Sequence, residues 1–225
     1  MMFVLSLVFM AIGWMVQSRL KSKFEKYSQT PISSDLSGEE IAKKMLRDNA
    51  IYDVKVICVE GQLTDHYNPA DKTVNLSQGV YYGKNAAAAA VSAHECGHAV
   101  QHATAYNMLQ LRSTLVPIVS VASGWMHWIL LAGILTINTF PSLLLIGICL
   151  FAATTLFSLV TLPVEFDASN RALAWLESSG VSTRQEHDNA KDALWWAAMT
   201  YVVAAIASIA TLLYYVMIYM GGRRD

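Results

Sequence analysis

The sequence predicts a mainly α-helical membrane protein, with about four transmembrane helices and a polar α+β domain on one side of the bilayer. Three stretches of the 225-residue chain contain no Asp, Glu, Lys or Arg, namely residues 1–18, 113–164 and 193–222. All 16 basic and 17 acidic residues therefore fall in the other segments. Because a helix needs about 20 apolar residues to cross a bilayer, this separation of charge predicts membrane spans that alternate with polar segments.

The uncharged stretches divide the chain into predicted segments. They are residues 1–18 (an N-terminal transmembrane anchor), 19–112 (a polar domain), 113–164 (a hairpin of two spans), 165–192 (a helical polar segment), 193–220 (a last span) and 221–225 (a tail). Within the hairpin we predict spans at Leu115–Ile137 and Ser142–Leu162, joined by a turn that contains Pro141. The N-terminal stretch lacks the basic start and the cleavage site of a signal peptide, so we expect it to be retained.

Four spans place the two polar segments on the same side of the membrane. Basic residues near span ends are more numerous on this side than on the other, where only Arg223 and Arg224 flank a span. The positive-inside rule therefore predicts a cytoplasmic polar domain. Three scattered cysteines give no disulfide pattern, which fits a reducing compartment. A net charge of −1 without a basic stripe argues against nucleic-acid binding.

The polar domain begins with one predicted helix and two predicted strands. Ser37-Gly-Glu-Glu40 is a capping box, and the helix that follows is expected to end at about Asn49. Residues 53–60 and 72–76 have the β-branched alternation of strands, and the turn-rich residues 61–71 join them. If the strand near Val74–Leu76 lies at a sheet edge, it can hold an extended substrate by backbone pairing.

The next predicted helix contains an H-E-x-x-H sequence. Asn85 is a good N-cap, and the helix-forming alanines that follow it lead to His94-Glu95-Cys-Gly-His98. Residues i and i+4 lie on one face of a helix, so both imidazoles can bind one metal ion. Glu95 is turned to the side, where it can reach a metal-bound water rather than the metal. The pattern predicts one Zn²⁺ ion per chain.

A catalytic zinc site needs a third protein ligand and an open position for water. His102 follows His94 at i+8, about 12 Å further along the helix, which is too far to share the ion. His66, in the loop before the helix, is an alternative. We favour Glu165, which follows the second uncharged stretch where a new helix is expected to begin. A carboxylate beside apolar segments is costly unless it is paired or metal-bound.

Six stretches of the sequence resemble the YugP-like zinc membrane metallopeptidases of bacteria. They are LTDHYNP (63–69), VNLS (74–77), AHECGHAVQH (93–102), LRS (111–113), LPVEFDAS (162–169) and AMTYV (198–202). The resemblance covers nearly the whole chain and implies a gluzincin-type zinc peptidase domain. It implies His94, His98 and Glu165 as zinc ligands and Glu95 as the catalytic acid/base. The more distantly similar HtpX-like gluzincins read E-x-x-A-D at the third ligand, and Ser169 stands here in place of that Asp.

The resemblance also implies a multi-pass enzyme of the bacterial plasma membrane. Its expected reaction is hydrolysis of peptide bonds in membrane-associated or unfolded proteins, by an endopeptidase that activates water with Zn²⁺ and Glu95. The sequence does not decide which side chain donates a hydrogen bond to the oxyanion; the five candidates are His66, Tyr67, Arg171, His187 and Tyr201. The oligomeric state is not predicted.

The alternative function is that of a non-catalytic metal-binding protein with a structural or chaperone-like role, but such a protein has no need of Glu95. A transporter is disfavoured because the spans contain no acidic residue.

Overall fold

The protein is mainly helical in a computed structural model, which describes residues 2–221. The elements in this part of the chain are α1 (Met2–Ser28), α2 (Gly38–Asp48), β1 (Lys55–Val59), β2 (His66–Asn68), β3 (Thr73–Ser77), α3 (Gln78–Tyr81), α4 (Ala86–Ala103), α5 (Asn107–Leu135), α6 (Pro141–Ser178) and α7 (Arg184–Gly221). The predicted mainly α class with a small sheet is confirmed. The tail arginines Arg223 and Arg224 lie outside the described residues.

Within residues 2–221, four helices are long and apolar enough to cross a membrane, namely α1, α5, α6 and α7. This agrees with the number predicted from the uncharged stretches. The structure corrects one boundary, because no new helix begins at Glu165. Instead α6 continues without a break through Pro163 to Ser178, so the membrane-type stretch and the residues around Glu165 share one helix. Pro163 removes one backbone hydrogen bond from α6. The apolar side chains before it and the helix-forming residues after it stabilise the helix by more than this loss costs.

The chain folds into two compact units. The first unit comprises the described residues of Met1–Trp14, Asn107–Pro163 and Thr200–Asp225. Its core contains apolar side chains of α5, α6 and α7, namely Met126, Leu130, Leu144, Ile148 and Tyr215. A Cβ added at Gly133 of α5 would lie 2.6 Å from the Cα of Leu144 in α6, so the glycine lets these two backbones approach closely. Such close approach through small residues is typical of helices that pack within a membrane.

The second unit, Met15–Tyr106 and Val164–Met199, contains the three-stranded sheet. The strand order is β1-β3-β2, with β3 parallel to β1 and antiparallel to β2. The suggestion that the strand near Val74–Leu76 lies at a sheet edge was therefore wrong, because β3 is the central strand. Residues 61–71, which were predicted to be a loop, contain the short strand β2. This strand, His66–Asn68, pairs with the side of β3 that does not face β1. β1 and β2 form the edges.

The helices α2 and α4 pack together within the core of the second unit. The predicted capping box starts α2, because Ser37 Oγ accepts a hydrogen bond from Glu40 N (3.3 Å) and the Glu40 carboxylate accepts one from Ser37 N (2.8 Å). The apolar face of α2 shares a buried cluster with small residues of α4, which include Ala89, Ala93 and Cys96. As predicted, Asn85 caps α4, and its Oδ1 accepts a hydrogen bond from Ala88 N (2.9 Å).

Candidate metal centre

The second unit brings His94, His98 and Glu165 together. The Nε2 atom of His94 lies 3.3 Å from Glu165 Oε2, and that of His98 lies 3.6 Å from the same oxygen. The three possible ligand atoms all lie within 4.8 Å of one another. Bonds of 2.0–2.1 Å at tetrahedral angles would separate two ligand atoms by about 3.4 Å. The donor types and their spacing therefore fit a zinc ion. His66 does not belong to this group.

A glycine allows the two ligand-bearing helices to touch. A Cβ added at Gly97 of α4 would overlap the carbonyl oxygen of Ala168 in α6. Gly97 lies between the two histidines of the motif, and Ala168 lies one turn after Glu165. The close contact of these two backbones therefore holds the carboxylate against both imidazoles.

The ligand group is mostly shielded from water. Glu165 is 3% exposed and His98 is 8% exposed, whereas the His94 side chain keeps 15% of its surface open. Burial lowers the pKa of His98, but the Glu165 and Glu95 carboxylates and the Gln101 amide together outweigh this effect and raise that pKa. A buried carboxylate needs a positive partner, and a metal ion or a protonated histidine can provide one.

The outer ring nitrogens of both histidines are already engaged. The Nδ1 atom of His94 lies 3.1 Å from Ser169 Oγ, and the Nδ1 atom of His98 lies 3.0 Å from Gln101 Oε1. When Nδ1 donates its proton to such a partner, Nε2 keeps a lone pair that can bind a metal. Ser169 is thus the residue that engages the outer nitrogen of His94. Sequence reasoning missed the part played by Gln101, although its i+3 spacing from His98 was a usable signal.

Gln101 is fully buried and connects α4 to α6. Its Nε2 donates hydrogen bonds to Val164 O (2.7 Å) and to Asp167 Oδ2 (2.8 Å). Because the amide nitrogen is committed to these two acceptors, the amide oxygen must face His98. Arg171 in turn donates to Asp167 Oδ2 (2.6 Å), so the network continues to the outside of α6.

Glu95 lies beside this group without belonging to it. The residue is 8% exposed, and it follows His94 directly on α4. In the described part of the chain, no hydrogen bond or ion pair engages its carboxylate. A carboxylate in this position can take a proton from a water held near the two imidazoles.

The five candidate oxyanion donors have different surroundings. His66 Nδ1 lies 2.7 Å from Thr64 O, Tyr67 OH lies 2.7 Å from His102 Nδ1, and Arg171 is held by Asp167. His187 lies beside Asp188, with 4.0 Å between Nδ1 and Oδ1, and Tyr201 belongs to the first unit. Among these, Tyr67 is joined to α4 itself, through a histidine that follows His98 by one helical turn.

The whole chain is similar to zinc peptidase sequences. A family described as "Putative neutral zinc metallopeptidase" matches residues 2–220. A protein of Bacillus subtilis (strain 168), "Putative membrane protease YugP", is 42% identical over 226 residues, which cover 100% of this chain and 100% of that protein. No solved structure matches the chain.

Proposed function

The chain belongs to the family of neutral zinc metallopeptidases, and on that premise we propose that it is a membrane-embedded zinc endopeptidase. Zn²⁺ is the cofactor that this family implies, and the side chains of His94, His98 and Glu165 offer it a fitting site. The observation that carries the proposal is the convergence of two Nε2 atoms and one carboxylate oxygen, with both Nδ1 atoms held by other partners.

The proposed mechanism gives each side chain one task. His94, His98 and Glu165 would hold a zinc ion, which would lower the pKa of a bound water and polarise the substrate carbonyl. Glu95 takes a proton from the attacking water and delivers it to the leaving nitrogen. Ser169 and Gln101 hold the two imidazoles in the tautomer that leaves Nε2 free. Tyr67, with its hydroxyl fixed by His102, is a candidate to donate a hydrogen bond to the oxyanion.

The proposed substrates are membrane-associated or unfolded proteins and peptides in the bacterial plasma membrane. The described part of the chain includes four membrane-type helices as well as the metal centre, which supports substrates at the bilayer. The basic residues that follow the first uncharged stretch favour a cytoplasmic position for the site.

The experiment that tests the proposal compares the wild type with Glu95→Gln in detergent. Both proteins are assayed for zinc per chain and for cleavage of an unfolded protein such as casein. We expect equal zinc and a loss of cleavage by a factor of about 10² to 10⁴ in the variant, since Glu95 is the general base and not a ligand. The exposed Glu177 of α6 gives a matched control, Glu177→Gln, which should keep both properties.

Two results would contradict the proposal. Equal cleavage by the wild type and Glu95→Gln would remove Glu95 from the mechanism. Zinc in both proteins without cleavage of unfolded or membrane-bound substrates would favour a non-catalytic metal-binding protein.

A further inference from the structure

A row of hydrogen bonds connects the carboxylate of Asp167 on α6 to the metal ligand His98 on α4. Gln101 Nε2 donates to Asp167 Oδ2 (2.8 Å), and Gln101 Oε1 lies 3.0 Å from His98 Nδ1. We refer to Asp167, Gln101 and His98 as the relay. All three residues belong to the second unit. The proposed mechanism uses the Gln101 end of the relay and leaves the carboxylate at its other end without a role.

Asp167 is separate from the metal ligands. It follows Glu165 by two residues, and side chains two apart on a helix do not face each other. The three converging ligand atoms belong to His94, His98 and Glu165, so Asp167 lies outside this group. Its hydrogen-bonded connection to His98 runs through the Gln101 amide.

The Gln101 amide gives the relay a direction. An amide nitrogen carries two hydrogens, and Gln101 donates them to Val164 O (2.7 Å) and to Asp167. The amide oxygen faces His98 and can only accept, so the proton between them belongs to His98 Nδ1. Donation to a carboxylate polarises the amide, which makes its oxygen a stronger acceptor. The charge on Asp167 therefore favours the tautomer of His98 whose Nε2 is free to bind a metal.

The Asp167 carboxylate is held in place from its other side. Arg171 Nε donates to the same oxygen, Oδ2, at 2.6 Å, and the Arg171 guanidinium carbon lies 5.8 Å from the centre of the Tyr106 ring. The side chains of Asp167 and Arg171 are 29% and 30% exposed. An ion pair that is this open contributes little to stability. Its effect here is to keep the carboxylate oxygen directed at Gln101.

We propose that Asp167 is a positioning residue of the metal centre, which acts on His98 through the Gln101 amide. In many zinc proteins a carboxylate accepts the outer N–H of a ligand histidine directly. Here an amide stands between the carboxylate and the imidazole and transmits the effect of the charge. The inference rests on the proposed zinc site and adds to it a residue that sets its affinity for the metal.

The test measures metal affinity, so it needs no substrate. In full-length protein in detergent, Asp167→Asn keeps an oxygen that can accept from Gln101 and Arg171, while its amide nitrogen can face water at this partly open position. The variant therefore removes the charge and keeps the hydrogen bonds. We expect the zinc Kd, from competition with a chromogenic chelator, to rise about three- to tenfold. We also expect the visible spectrum of the Co²⁺-loaded protein to shift.

Two comparisons separate the relay from a general loss of charge or of stability. Glu177→Gln removes a charge from an exposed position of the same helix and should leave the zinc Kd and the cobalt spectrum unchanged. The metal-free forms of Asp167→Asn and of the wild type should unfold at nearly the same temperature, because the open ion pair adds little stability. In a Gln101→Met background, Asp167→Asn should cause no further rise in Kd, since the connecting amide is absent.

The outcomes separate failure of the inference from failure of the proposed function. An equal zinc Kd in the wild type and in Asp167→Asn would overturn the inference. The same loss of affinity with and without the Gln101 amide would also overturn it, because Asp167 would then act by another route. Both results leave the proposed peptidase intact, since that proposal depends on zinc in the wild type and on Glu95. A wild type that binds no zinc would overturn the proposed function and the inference together.

Discussion

Gln101 offers a sharp test of how the metal centre is built. Replacement by methionine keeps the length of the side chain but removes both its acceptor and its donors. In the structure, three hydrogen bonds depend on this amide, at 3.0 Å to His98, 2.7 Å to Val164 and 2.8 Å to Asp167. The site is fully buried, so solvent does not replace these bonds at the amide itself.

The magnitude follows from the partners that lose their hydrogen bonds. Asp167 keeps its bond to Arg171 and is partly exposed, so its loss is small. The Val164 carbonyl and the His98 Nδ1 proton are left without this partner, at about 1–3 kcal/mol each. We therefore expect Gln101→Met to destabilise the fold by about 2–6 kcal/mol and to weaken zinc binding about 10- to 100-fold.

Two assays separate these effects. Competition with a chromogenic chelator gives the zinc Kd, and thermal unfolding with excess zinc gives the change in stability. The visible spectrum of the Co²⁺-loaded protein reports the ligand geometry directly, and we expect it to change. The exposed Gln110 provides the control variant Gln110→Met. An unchanged zinc Kd and an unchanged cobalt spectrum in Gln101→Met would refute the argument that Gln101 positions His98.

Two further variants test the packing of the second unit. Gly97→Ala places a Cβ against the carbonyl oxygen of Ala168, so α4 and α6 must move apart. We expect the free energy of unfolding to fall by about 1–3 kcal/mol and bound zinc to be lost. Thermal unfolding and metal analysis measure the two effects. Glu186→Gln weakens hydrogen bonds from Ser33 N and Oγ (2.8 and 2.5 Å) and from Thr183 N (2.8 Å). Burial raises the pKa of Glu186, but these hydrogen bonds outweigh it and lower that pKa. Glu186 therefore stabilises the fold above its unfolded pKa of about 4.3, by about 1.5–3 kcal/mol, and this contribution is lost as the pH falls through the lowered folded value.

Gly97→Ala has a matched control variant, and Glu186→Gln is compared with the wild type over a range of pH. Gly124→Ala, at a helical glycine with open space around it, should leave stability and zinc content unchanged. If Gly97→Ala behaves in the same way, the close contact of α4 and α6 is not required for the site. For Glu186, stability is measured from pH 8 to pH 3 in both proteins. A difference between wild type and Glu186→Gln that stays constant down to pH 3 would contradict the assigned pKa shift.

The sequence by itself determined the features that depend on neighbouring residues. The charge-free stretches predict the apolar helices because a bilayer excludes charge along a continuous segment. Ser37 with Glu40, and Asn85, predict where α2 and α4 begin, since caps act within one turn. The i, i+4 spacing of His94 and His98 places both imidazoles on one face for the same local reason.

Tertiary structure decided which faces meet. Sequence periodicity does not reveal that Gly97 lies on Ala168, yet this contact of residues far apart in the chain brings Glu165 to the two histidines. β3 became a central strand because a short strand in the predicted loop paired with it, and three residues carry too weak a pattern to predict. Gln101 became a partner of His98 because α6 offers two acceptors for its amide, and only the folded chain brings those acceptors within hydrogen-bonding distance.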